Sequence, residues 1–362
     1  MNILFISNLS GNLWAGPNNS VPAQIKAQSK VDNVFWFNYN HNKREEWTKN
    51  GLDCKNLVDF PNGKLKDLPS PFNHPDIAIV EEFYCFPFCK LIADIRKEHI
   101  PYVIIPRSEM TNLAQKNKKW KKKIGNALYF KKMAYDAKGI QFLTEEERND
   151  SGEKWNKSSF VIPNGIDLPP KKKTDFSFDG IKASYIGRIE IYQKGLDLLL
   201  NAIADLKDDL TNNNFQLTIY GPNRDGSLEV LQRKAQENHL EDLVLFKDGV
   251  FGQNKISVLM DSDVFIMTSR FEGMPMGLIE ALSYGIPCLV TEGTNLAKDI
   301  KQFDAGWTAE NTVESVENAL RNLIISRNFF EKGRNAVELS KKFTWDCIAK
   351  QSNLIYRNLI GV

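Results

Sequence analysis

Short apolar, β-branched runs alternate with longer amphipathic stretches along this chain. In the first half they predict strands at Ile3–Ile6, Val34–Phe37, Ile77–Val80, Val103–Ile105, Ile140–Leu143 and Phe160–Ile162. In the second half they predict strands at Ala183–Ile186, Gln216–Tyr220, Leu243–Phe246, Val264–Met267 and Cys288–Val290. Helical patterns lie between them. Leu196, Leu199, Leu200, Ile203 and Leu206 recur at the spacing of one buried helix face. Strand–helix alternation of this kind implies parallel sheets covered on both faces. The opening Met-Asn-Ile-Leu-Phe-Ile-Ser reads as a buried first strand rather than a signal peptide, and no apolar run approaches the ~18 residues of a membrane span. The expectation is a cytoplasmic protein.

The pattern breaks once. Pro163-Asn164-Gly165-Ile166-Asp167 is a turn cluster, and Pro169-Pro170-Lys171-Lys172-Lys173 suits an exposed linker. A chain of 362 residues is long enough for two domains. We therefore expect two doubly wound α/β domains with a hinge near 164–180, and ligands outside the carboxyl ends of the strands, in a cleft between the domains.

Charge changes this picture in one respect. The net +2 argues against a dedicated nucleic-acid binder. Residues 1–165 nonetheless hold 24 Lys/Arg against 18 Asp/Glu, whereas the remainder holds 23 against 27. The five cysteines, Cys54, Cys85, Cys89, Cys288 and Cys347, are scattered, so buried thiols are expected rather than a disulfide framework. Cys85 and Cys89 could sit one helical turn apart, but no nearby histidine completes a zinc site.

Two segments of the second half carry candidate chemistry. In Tyr185-Ile186-Gly187-Arg188, continuing to Lys194-Gly195, a strand ends at a glycine and two cations follow on the loop to the next helix. Gly187 permits close approach of a ligand. Arg188 offers a planar fork and Lys194 a mobile point charge, which suits a diphosphate. The plainer alternative is a pair of surface cations. The second segment runs from Ser269-Arg270-Phe271-Glu272-Gly273-Met274-Pro275-Met276-Gly277 to Glu280. Pro275 is expected as the first helical residue, with the amides of Met274, Met276 and Gly277 forming an anion site. Glu280 lies among Leu278, Ile279 and Leu282, and a carboxylate so buried needs donors, from ribose hydroxyls or from an internal salt bridge. Glu272 could equally be a partner for the helix dipole.

Gly187-Arg188…Lys194-Gly195, followed by Glu272-x7-Glu280 in the setting Ser-Arg-Phe-Glu-Gly-Met-Pro, resembles glycosyltransferase family 4, formerly group 1. The resemblance covers nearly the whole chain. It implies the GT-B fold of two Rossmann-like domains and retention of anomeric configuration. It divides the chain into an acceptor domain at 1–165, rejoined by a crossing helix at 343–362, and a donor domain at 166–342. It places Arg188 and Lys194 on the donor diphosphate, Glu280 on the donor ribose and Glu272 on hydroxyls of the transferred sugar. It also places Gly187 and the backbone of Met274, Met276 and Gly277 near the sugar and phosphate. The donor implied is a nucleotide sugar, UDP-hexose before GDP-mannose, and the acceptor a growing bacterial surface polysaccharide, lipid-linked in many relatives. A non-catalytic scaffold or chaperone and a sugar-nucleotide epimerase of the same fold stay open as alternatives. No metal is expected. Asp261-Ser262-Asp263 spells the Asp-x-Asp motif of the other glycosyltransferase fold, but it precedes the strand Val264–Met267 and so lies at the end away from the expected site.

In the first half, the family's glycine-containing loop corresponds to residues 8–19, with Gly16 and Asn18 as candidate contacts to donor or acceptor. Many relatives have a histidine near Pro106-Arg107-Ser108, and none of His41, His74, His99 and His239 falls there, so Arg107 and Ser108 stand as substitutes. Glu81, Glu82 and Tyr84, after another strand, are acceptor-side candidates or rim charges. Lys116–Met133 holds eight lysines around a helical stripe of Trp120, Ile124, Leu128 and Met133. Such a segment is either a membrane-surface helix or a solvated helix with its stripe in the core.

Overall fold

Each half of the chain builds one all-parallel sheet. The first contains β1 (Asn2–Ser7), β2 (Asn33–Asn38), β3 (Cys54–Asn56), β4 (Ile77–Glu81), β5 (Tyr102–Ile105), β6 (Gly139–Phe142) and β7 (Ser159–Val161) in the order β3-β2-β1-β4-β5-β6-β7. The second contains β8 (Ile181–Ile186), β9 (Phe215–Tyr220), β10 (Val244–Lys247), β11 (Val264–Met267), β12 (Cys288–Thr291) and β13 (Gly306–Ala309) in the order β10-β9-β8-β11-β12-β13. The structure, a computed structural model, describes residues 1–11, 17–49, 51–86, 89–116, 118–177, 179–223, 226–272 and 274–362. It divides into one unit of Met1–Gly165 with Trp345–Val362 and another of Ile166–Thr344.

The strands β1, β4, β5 and β11 carry near-continuous apolar runs because both faces are covered. Leu4 and Ile6 of β1 pack into one core cluster and Ile3 and Phe5 into another. In β11, Val264 and Ile266 face one cluster while Phe265 and Met267 face the other. The strands β3 and β13 carry no apolar run to announce them. They are short edge strands, held by pairing with β2 and β12. In both sheets the order reverses beside the first strand, between β1 and β4 and between β8 and β11. Chain connections leave in opposite directions there and open a crevice at the carboxyl ends.

The C-terminal helix Trp345–Ile360 returns to the first unit. Trp345, Ile348 and Ala349 pack with Ala27 and Ile162, and the buried Tyr356 hydroxyl donates to Gln141 Oε1 at 2.6 Å. Cys347 on this helix is exposed, which corrects the expectation of buried thiols throughout; Cys54, Cys89 and Cys288 are buried and Cys85 is partly so. Asp261-Ser262-Asp263 forms the turn from the helix Gly252–Asp261 into β11. Buried Asp263 accepts the amides of Ser177 and Lys182 at 2.9 Å each, and Asp261 pairs with Lys182 at 2.8 Å. Among the described residues no helix is long and apolar enough to cross a membrane.

Candidate functional site

The switch point of the second unit gathers the residues singled out there. β8 ends at Ile186, and Gly187 follows with its amide on the Tyr220 carbonyl at 3.0 Å. A Cβ on Gly187 would stand 2.7 Å from the Tyr185 hydroxyl, so a side chain is excluded. That hydroxyl donates to the Arg188 carbonyl at 2.8 Å and fixes the turn, leaving the Arg188 side chain exposed with one contact to Gln193 Oε1 at 3.3 Å. The short helix Ile191–Lys194 then delivers Lys194, and Gly195 turns the chain at φ 60° into the helix Leu196–Asp205.

From the neighbouring strand β11, the loop through Ser269 and Arg270 brings in Glu272. Lys194 Nζ and Glu272 Oε1 form a buried ion pair, and the Ser269 hydroxyl donates to the same oxygen at 2.6 Å. Both residues are 8% exposed. Asn295 holds the Glu272 carbonyl at 2.6 Å, and Arg270 makes a bidentate pair with Asp197 at 2.7 and 2.8 Å. Ser269, Asn295 and the Arg270–Asp197 clamp were not singled out from the sequence. Ser269 lies inside the quoted motif, but the partners of the others come from distant segments.

Two expectations about the helix start are corrected. The helix runs Met276–Ser283, so Pro275 (φ −80°, ψ 76°) precedes it instead of opening it. The Met276 amide donates to the Met274 carbonyl at 2.9 Å and so is not directed outward. The bend at Pro275 draws that amide back, because its ψ is not helical. Met274 and Met276 pack partly against the core cluster that contains Leu278 and Ile279. Gly277 comes closest to β8: its Cβ would lie 3.3 Å from the Ile186 carbonyl, so the helix start rests on the strand end next to Gly187. Glu280 is half-buried and ion-paired with Lys255 from the helix Gly252–Asp261, a partner no local signal announces.

In the first unit, the candidates cluster at the carboxyl ends of β4 and β5. Arg107 Nε donates to the fully buried Glu81 Oε2 at 2.9 Å, and its terminal nitrogens reach Ser20 and Gln24 at 3.0 Å each. Burial pushes the Glu81 carboxyl up, opposed by the Arg107 charge. Glu82, Arg107 and Ser108 all have positive φ, at 72°, 48° and 70°. Backbone strain of this kind concentrates at functional sites. The Ser108 amide donates to Glu147, and Glu109 accepts the amides of Phe83 and Tyr84. Tyr84 Oη lies 2.9 Å from both Gln115 Oε1 and Asn126 Oδ1. Asn18 is buried near the start of the helix Pro17–Gln28, its Oδ1 accepting from the Gly11 amide at 3.0 Å. Arg107 and Asn18 are thus committed to internal contacts, which narrows what each can offer a ligand. Gly16 lies outside the described residues.

The Glu82 carboxyl is pushed up to about 7, first by burial and then by the nearby Glu109 charge. The folded state therefore holds this proton more tightly than the unfolded chain. Its contribution is full below the ordinary glutamate range and is lost as pH rises towards about 7. Glu82→Gln should be more stable than the parent at pH 8, by roughly 1–3 kcal/mol, with the gap closing by pH 4.5. Melting temperatures across that range check this, and parallel curves would contradict it.

Residues 171–342 match the family model described as glycosyl transferases group 1. The chain is 32% identical over 159 residues to a putative glycosyltransferase, EpsF, of Bacillus subtilis, covering 40% of this chain and 38% of that one. It is 30% identical to the UDP-Gal:alpha-D-GlcNAc-diphosphoundecaprenol alpha-1,3-galactosyltransferase of Escherichia coli, covering 50% of this chain and 51% of that one. The chain thus spans about half or less of the length of these relatives. Among solved structures, the lipopolysaccharide outer core galactosyltransferase WaaB is similar across 100% of this chain and 99% of its own, with a TM-score of 0.68 at 18% identity. HepE of Anabaena, in complex with UDP and glucose, is similar across 99% of this chain and 100% of its own, with a TM-score of 0.65 at 15% identity. These likenesses show the GT-B fold.

Proposed function

We propose that the protein is a retaining glycosyltransferase of group 1, with UDP-hexose as donor and a lipid-linked bacterial glycan as acceptor; the match of residues 171–342 to that family's model and the GT-B fold support this reading. The observation that carries this reading is the Lys194–Glu272 pair, which joins the loops after the two central strands β8 and β11. A lysine carries three donors. One holds Glu272, and the others make no hydrogen bond among the described residues, which leaves them to meet an anion at the strand ends. Arg188, exposed on the adjoining turn, supplies the second cation for the leaving diphosphate. As the sugar–phosphate bond breaks, charge grows on the terminal phosphate oxygen, and fixed cations aimed there stabilise the transition state. Glu272, oriented by Ser269, accepts from hydroxyls of the transferred sugar, and Glu280, with Lys255 beside it, from the ribose. The departing phosphate takes the acceptor proton on the same face, so no protein nucleophile and no metal is needed. The UDP-Gal donor of the Escherichia coli relative and the UDP bound to HepE support UDP over GDP.

The acceptor side rests on a second observation. Trp120, Ile124 and Leu128 are 73%, 60% and 73% exposed, whereas Met133 is buried. The stripe among the lysines is therefore mostly outside the core. Apolar side chains flanked by lysines fit the surface of an anionic bilayer, which would hold the enzyme on the inner face of the plasma membrane.

The donor reading is tested by thermal shift with UDP, GDP and ADP in the presence of a chelator. At ~100 times its Kd, a ligand adds about 2.7 kcal/mol of stability. UDP should raise the melting temperature by several degrees. Arg188→Ala should abolish that rise without changing the unliganded melting point, since its side chain is exposed. No response to any nucleoside diphosphate would refute the donor site, and a response that needs a divalent ion would refute metal independence.

A further inference from the structure

The lysine-rich segment is a continuous helix from Lys119 to Asp136, widened by a five-residue π-helical stretch at Asn126–Phe130. Such widening is frequent at functional sites. Beneath it lies a cavity of about 730 Å³, within the range of ligand pockets. Its floor is aromatic: Phe130 packs against Tyr84 and Tyr129 with ring centroids 4.8 and 5.3 Å away. Glu109 also lines it, its Oε2 accepting both the Phe83 and Tyr84 amides. Lys118, Lys121 and Lys122 line it as well, with Lys122 Nζ 4.6 Å from the Tyr84 ring centroid. Ile124 and Leu128 belong both to the cavity wall and to the exposed apolar stripe. The cavity therefore opens onto the surface that would touch a bilayer.

An apolar floor, three cations and a mouth on the membrane-facing stripe fit an anionic amphiphile whose chain never leaves the lipid. Resting on the lipid-linked acceptor proposed above, we infer that this cavity receives the diphosphate of that acceptor and the first part of its hydrocarbon chain. The three lysines meet the diphosphate, and Ile124, Leu128 and Phe130 meet the chain. The glycan beyond the diphosphate is then held at a fixed distance from the helix.

The test is flotation of the full chain with phosphatidylcholine vesicles. They carry either a long-chain polyprenyl diphosphate or phosphatidylglycerol at matched negative charge. Binding to the diphosphate lipid should be stronger by about tenfold, the effect of one good charge-assisted contact. Two variants should bring it down to the phosphatidylglycerol level: the double change Lys118→Ala with Lys122→Ala, and Gly125→Leu. Gly125 lines the cavity, and even a Cβ there would stand 3.3 Å from the Phe130 ring. Both variants should keep the UDP thermal shift. Equal binding to the two lipids overturns the inference, as does a preference that survives both variants. Either result leaves the donor reading standing, whereas a wild-type protein that does not respond to UDP counts against that reading instead.

Discussion

Lys194→Ala should lower transfer by two to three orders of magnitude and also cost the second unit about 3–5 kcal/mol of stability. The first effect follows from removing a cation aimed at the leaving diphosphate. The second follows from burial. Glu272 is 8% exposed, and without Lys194 its carboxylate keeps only the Ser269 hydroxyl as a side-chain donor among the contacts described above. A surface lysine would leave a variant that folds normally; the buried pair predicts otherwise. Adding Glu272→Ala should recover part of the lost stability, because the orphaned charge goes with it, while activity stays low. Urea unfolding of both single variants and the double one, with steady-state turnover, separates the effects. Turnover within a few-fold of the parent would remove Lys194 from the donor site. A double variant no more stable than Lys194→Ala would mean the pair is not coupled.

Gly195→Ala should be severely damaging for a single added methyl. Gly195 sits at φ 60°, where an L side chain costs roughly 1–2 kcal/mol by itself. The new Cβ would also stand 2.0 Å from the Thr268 carbonyl oxygen, a backbone atom at the end of β11. Thr268 is fully buried and its hydroxyl donates to the Gly195 carbonyl at 3.0 Å, so neither chain can withdraw without breaking the junction. A loss above ~4 kcal/mol is expected, read as a fall of ten degrees or more in melting temperature or as failure to accumulate in soluble form. Gly226→Ala is the control. It shares the left-handed conformation, at φ 74° and ψ 14°, but its Cβ would meet only the Glu229 carboxylate at 3.9 Å, so only the backbone strain remains. Equal effects at the two positions would show that the contact with β11 does not matter.

The strands β1, β4, β5 and β11 were legible because burial on both faces demands unbroken apolar runs, and β8 and β9 from shorter apolar stretches interrupted by exposed Lys182 and Gln216. The edge strands β3 and β13 were not, because pairing with β2 and β12 forms them without such a run. At the site, Gly187, Arg188, Lys194 and Glu272 were legible as types placed after strand ends. That Pro275 precedes its helix, and that the Met276 amide turns back on Met274, depends on a ψ of 76° that no residue pattern specifies. For the lysine-rich segment, the helical stripe was legible, but its direction was not.

What the sequence by itself determined is therefore local and periodic. It set the alternation of strand and helix, the break near Gly165, and the residue types at the loops, since these follow from the periods of burial and from backbone chemistry. Only the tertiary structure decided who meets whom. It joined Lys194 to Glu272 across two strands, gave Glu280 the partner Lys255, and committed Arg107 to Glu81. It also turned Trp120, Ile124 and Leu128 outward beside a cavity. The physical reason is that charge pairing and side-chain exposure act through space between segments far apart in the chain. A one-dimensional pattern records which groups must be satisfied, but not which distant group satisfies them.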